Sequence, residues 1–169
     1  MFVRHPASFF RSAKSYHLEG QEEWAKKNSS KILNDNSLTE ALRACKDSDD
    51  RLIVSMKYWG IERQELQNMV ENIEILKKIN KQFFIIKCED LWKNNIKENT
   101  TSFRGLISHD GFDYPLNNLL SIANNTSIHG KKKHPTNEIF KENFYGYGEK
   151  ALDFYNKNFK SLESRLGYN

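Results

Sequence analysis

The chain has 169 residues, 38% of them hydrophobic and 28% charged, which is enough for one domain spanning 1–169 with a core. Its net charge of +4 suits an anionic small molecule and falls short of the dense basic stripe of a nucleic-acid binder, so no nucleic acid is expected as partner. No apolar run reaches membrane-spanning length and Met1–Phe10 lacks the apolar stretch of an export signal, so a cytoplasmic protein without a membrane span is expected.

Cys45 and Cys88 offer neither a metal spacing nor a disulfide framework, which fits a reducing compartment and no metal cofactor. Only 8 glycines and 3 prolines punctuate the chain, and that scarcity favours helices.

In chain order, Phe2-Val3 is a short apolar strand ending at Arg4. Pro6 suits the first position of a helix, where its missing N–H costs nothing. From there Phe9, Ala13 and Tyr16 share one face, while Ser8, Ser12 and Ser15 share another. Gln21–Leu33 is predicted as a polar helix anchored by Trp24. Ser37 followed by Glu40 is a capping box that starts a third helix. Asp47–Asp50 is expected to turn, and Arg51–Asn80 to be helical with an interruption at Gly60. Leu66, Met69, Val70, Ile73 and Leu76 form its buried stripe.

At Phe83–Ile86 the period changes to four consecutive apolar residues, the pattern of a strand buried on both faces of a parallel sheet. A helical crossover from Phe2-Val3 to this strand makes the two parallel. Beyond Asp90 the chain is irregularly helical to about Ala123, followed by a polar, basic loop over Asn124–Asn137. A last helix over Glu149–Arg165 carries Leu152, Tyr155, Phe159 and Leu162 on one side and ends at Gly167, a candidate left-handed cap.

Chemistry concentrates at the start. A strand ending in Arg4, followed by a helix presenting Ser12, is suited to a phosphate. Helix N-termini supply free N–H groups and a positive dipole end, and arginine adds forked, charge-assisted bonds. Among the histidines His5 lies beside this motif, while His17, His109, His129 and His134 are scattered. His109 with Asp110 is the pair to inspect for a general base, though neighbours in sequence seldom face each other, and no catalytic residue is assigned.

The stretch VRHPASFFRSAKSYH resembles the 3′-phosphate-binding segment of the sulfotransferase family, with Arg4, Pro6 and Ser12 at the motif positions. FFIIKCEDL is similar to that family's strand-plus-acid segment through Glu89, Asp90 and Leu91, with Cys88 where a tyrosine usually stands. NNTSIHGKKKHPTN resembles the adenine-contacting loop, with Thr126, Ser127 and Ile128 at the contact positions and Lys131–Lys133 after them. The closing LESRLGY resembles the Leu-Gly-Tyr end of many bacterial members.

The resemblance implies a helix-rich α/β domain of partial P-loop type with a short parallel sheet. It also implies a donor site for 3′-phosphoadenosine 5′-phosphosulfate or 3′,5′-adenosine bisphosphate. Arg4 and Ser12 would hold the 3′-phosphate, and Thr126, Ser127 and Ile128 the adenine. The implied activity is sulfuryl transfer to a hydroxyl or amine acceptor that the sequence does not identify. No Gly-rich Lys-Ser/Thr loop occurs in the sequence, so the chain is expected to be the C-terminal portion of such a domain, inactive alone. A sheet lacking neighbours invites pairing, so a homo-oligomer or a partner chain supplying the missing half is expected. The rival expectation is a helix-rich adaptor or regulatory protein without catalysis.

Overall fold

The computed structural model describes residues 2–20, 22–79, 86–89, 115, 118, 121 and 142–168. These are mostly helical. β1 (Phe2–Val3) leads into α1 (Pro6–Leu18), with Pro6 at the first position and the His5 side chain accepting from the Ala7 N–H as its cap. The buried face of α1 differs from the expected one. Ala7, Phe10, Arg11 and His17 are buried, whereas Phe9, Ala13 and Tyr16 are only half-buried. The apolar spacing was ambiguous because the fully buried side chain at the centre of the helix is an arginine.

The helix expected over Gln21–Leu33 is corrected to a short helix and half of a hairpin. α2 covers only Glu23–Lys27, and β2 (Ser29–Ser30) then pairs antiparallel with β3 (Asn36–Ser37). Between the two strands, Lys31–Leu33 forms a tight helical turn, and Asn34 and Asp35 adopt left-handed backbones at φ 55° and 61°. Asn and Asp tolerate that region better than other non-glycine residues, so the turn was encoded in Asn-Asp-Asn.

α3 (Leu38–Ala44) starts at the predicted capping box: Ser37 accepts from the Glu40 N–H, and the Glu40 carboxylate accepts from the Ser37 N–H at 2.9 Å. Arg51 donates to the carbonyls of Leu42 and Cys45, satisfying acceptors that the end of α3 leaves open. The turn expected at Asp47–Asp50 is instead a helix start, with Asp47 capping α4 (Ser48–Ser55).

α4 does not run on regularly. Met56–Glu62 forms a wider π-helical segment closed by Arg63 N–H to Tyr58 C=O at 2.8 Å, and the chain breaks at Gln64, φ +52°. α5 (Glu65–Lys78) follows; of its expected buried stripe Leu66, Val70 and Ile73 are buried, while Met69 and Leu76 are half-buried. The π-helical segment sits where two apolar clusters meet. The larger cluster contains Phe10, Met56 and Phe159, the smaller one contains Leu38, Leu42 and Tyr58, and Trp59 packs against both.

β4 (Ile86–Lys87) pairs in parallel with β1, in register Phe2↔Ile86 and Val3↔Lys87; Phe83–Ile85 lie outside the described residues. The last helix is divided at Phe159 into α6 (Glu149–Asn158) and α7 (Lys160–Arg165), because Phe159 leaves helical geometry at φ −130° to bury its ring against Phe10. Asp49 fastens the start of α6 to α4, accepting from the Gly148 N–H at 2.7 Å and the Ala151 N–H at 3.1 Å. Gly167 closes α7 at φ +85°, as its position predicts. Among the described residues no helix is long and apolar enough to cross a membrane.

Candidate functional site

The parallel register of β1 and β4 places Arg4 and the helical residues Cys88-Glu89 at the same end of the strand pair. Chain ends close onto this point. The Glu89 carboxylate accepts from the His5 backbone N–H at 2.8 Å and from the Tyr168 hydroxyl at 2.6 Å. The Tyr168 hydroxyl also lies 3.4 Å from the Val3 carbonyl, and Lys87 Nζ stands 5.0 Å from its ring centroid. Three segments far apart in sequence therefore share one carboxylate.

Arg4 is half-buried beside that carboxylate. Burial pushes its guanidinium down from its ordinary pKa, Glu89 pulls it back up, and Arg11 adds a smaller downward push. A guanidinium keeps its charge under all ordinary conditions, so this is a fixed positive charge near the start of α1. Ser12 lies two turns further along α1 and is half-buried. Cys88 is half-buried, and burial raises its thiol pKa above the ordinary value, so it is no ready nucleophile. Thr126, Ser127, Ile128, Asp90, Leu91 and Lys131–Lys133 lie outside the described residues, as do His109, Asp110, His129 and His134.

His5 is enclosed rather than exposed, with 5% of its surface accessible. Its ring meets Phe144 and Tyr168 edge to face, at centroid distances of 5.5 and 5.0 Å. Because Nδ1 accepts from the Ala7 N–H at 3.2 Å, the neutral ring carries its proton on Nε2, which stands 3.5 Å from Glu163 Oε1. Both nitrogens are thus engaged within the fold, and His5 is not available as a general base toward a substrate hydroxyl. His17 is likewise buried, stacked on Trp59 and 3.6 Å from Glu22.

Sequence reasoning passed over Arg11, the largest fully buried side chain among the described residues. Its guanidinium donates to the carbonyls of Glu142 (2.5 Å) and Asn143 (3.2 Å), binding residues 142–145 to α1. Next to it Ser8 donates to Asn143 Oδ1 and Tyr147 donates to the Ala7 carbonyl. Its signal was its place among the apolar positions of α1, at the spacing of Ala7 and Phe10.

A shallow groove between the start of α4 and α6 is lined by Asp47, Ser48, Asp49, Glu149, Lys150 and Asp153. Its four carboxylates against one lysine give it the wrong sign for a phosphate. Among the described residues no cluster of His, Cys, Asp and Glu could hold a metal ion. Comparison of the chain with family models, curated proteins and solved structures finds no match.

Proposed function

We propose that this chain is a sulfotransferase-like nucleotide-binding module that receives the 3′-phosphate of an adenosine 3′,5′-bisphosphate ligand at Arg4, with Ser12 reaching it from the side of α1. The observation that carries the reading is the meeting of Arg4, Glu89 and Tyr168 at one end of a parallel strand pair. Each of the three comes from a different segment that the family resemblance singled out.

Parallel strands delivering an arginine to a helix start is an arrangement that favours an anion, through the helix dipole and the fixed guanidinium charge. Glu89 tempers it. A carboxylate already faces the same charge, so a phosphate must settle beside it and binding is weak. The sequence holds no phosphosulfate-binding loop, and both described histidines are buried away from a substrate, so the isolated chain binds without turnover.

The test is a thermal-shift titration with 3′,5′-adenosine bisphosphate on wild type, Arg4→Ala and Ser12→Ala, with adenosine 5′-monophosphate as the ligand lacking a 3′-phosphate. Binding to the folded state raises Tm in proportion to the logarithm of ligand excess over Kd. The expected result is a concentration-dependent rise for the bisphosphate only, abolished in Arg4→Ala. No shift at millimolar ligand with a folded wild type would overturn the reading and leave the non-catalytic adaptor in its place.

A further inference from the structure

The buried polar network around His5 reaches well beyond the proposed phosphate position. From α7, Glu163 faces the ring, and its Oε1 also accepts from the Tyr155 hydroxyl of α6 at 2.7 Å. Lys160 donates to the other oxygen, Oε2, at 2.7 Å. Just after β4, Glu89 accepts from the His5 backbone N–H, and from the C-terminal segment Tyr168 covers one side of the ring. Arg4 precedes it directly on its own segment, and the uncharged Phe144 ring covers another side. Every element that closes the two chain ends together touches this one imidazole or its partners.

We propose that His5 is a proton-operated latch on α1: neutral, it holds the first turn of the helix through the Ala7 N–H, and on taking a proton from solvent it releases that turn. The physical reason lies in the hydrogen bond to Ala7. Nδ1 holds α1's cap only as an acceptor, so a proton there sets two N–H donors against each other and removes the cap. Glu163 compensates incompletely, because its charge is already paired with the Lys160 ammonium. The enclosing rings of Phe144 and Tyr168 keep water from solvating the new charge. In agreement with this geometry, burial holds the His5 pKa below its ordinary value, against the opposing pulls of Glu163 and Glu89 and with a further push from Lys160.

The latch is independent of nucleotide binding and is tested without ligand. Amide hydrogen exchange is followed in the first turn of α1, where Ala7 N–H bonds His5 Nδ1 and Phe9 N–H bonds the His5 carbonyl. Protection is compared with that of α3 in the same molecule at pH 7.5 and pH 5.0, corrected for intrinsic exchange. Wild type and His17→Asn are expected to lose relative protection on acidification. His5→Asn, whose side-chain oxygen can still cap the Ala7 N–H without titrating, is expected to show no such loss. Protection that ignores pH in wild type, or a loss that persists in His5→Asn, would overturn the proposal. If His5→Asn does not fold, the imidazole 15N shifts of wild type decide. An Nε2–H tautomer titrating below about 6.5 supports the latch, and an Nδ1–H tautomer or a midpoint at or above that value refutes it.

Discussion

At the scale of single residues, the fold is decided by small side chains and buried charges at a few contact points. Gly60 is one. A Cβ there would collide with the Phe159 ring and press on Phe10, so the close approach of the π-helical segment to α1 and α6 depends on a missing side chain. Neither ring can move freely, because Phe10 and Phe159 are both essentially inaccessible and pack on each other at a centroid distance of 4.8 Å. Gly60→Ala is expected to destabilise the protein by about 1–3 kcal/mol, the usual cost of overpacking a filled core. Urea denaturation reads this as a lower midpoint with an unchanged slope. An unchanged midpoint would show that Phe159 has room to retreat. Arg11 is the second such residue. Its cationic head is buried because backbone carbonyls surround it, an arrangement that a hydropathy pattern does not reveal.

At the scale of elements, helix boundaries follow from local chemistry where side chain and backbone meet within a few residues. The Ser37–Glu40 box is legible in sequence because both partners lie inside one turn. Ser37→Ala removes the acceptor for the Glu40 N–H and is expected to cost about 1 kcal/mol. The measurement is equilibrium unfolding, together with faster amide exchange confined to the first turn of α3. A loss spread evenly over the protein would instead point to a role for Ser37 in core packing. The division of the last helix at Phe159 was not legible, since Leu152, Tyr155, Phe159 and Leu162 keep helical spacing across the break. The break arises because the Phe159 ring is drawn toward Phe10, a residue of a distant helix. The hairpin at Ser29–Ser37 failed for a different reason. Its strands are two residues each, too short for any period, and only the left-handed Asn34-Asp35 pair marks it.

At the scale of the whole molecule, the first and last helices and β4 close onto each other through Glu89 and Glu163, and two histidines are buried in the fold. His5 and His17 both have pKa values lowered by burial, each opposed by a nearby carboxylate. A histidine whose folded pKa lies below its unfolded value binds fewer protons folded than unfolded. Stability therefore rises with pH in that window and is lost as pH falls from the unfolded value of about 6.5 through the folded pKa. Tm is expected to be flat between pH 7.5 and 8.5 and to fall steadily below about 6.5. His5→Asn combined with His17→Asn should remove most of the slope above pH 5. The exposed Glu23, Glu40 and Glu74, whose pKa values are lowered by hydrogen bonds from Lys26, Ser37 and Arg165, add a further decline only at more acid pH. A fall in Tm that survives the double substitution would assign the acid sensitivity elsewhere.

The sequence by itself determined the helical character, the Pro6 helix start, the Ser37 cap, the buried stripe of α5 and the Gly167 stop. All of these are set by residues within one or two turns of each other. It also marked Arg4, Glu89 and the Leu-Gly-Tyr segment as stretches worth following, through their resemblance to one family. What only the tertiary structure decided is that the Glu89 carboxylate joins His5 and Tyr168, and that Glu163 is wedged among His5, Tyr155 and Lys160. These partners are separated by as many as 84 residues in the hydrogen bonds to Glu89. A polar side chain distant in sequence carries no period and no cap signature. Which donors it meets is set by how the cores pack, and the charge balance around Arg4 is fixed only at that step.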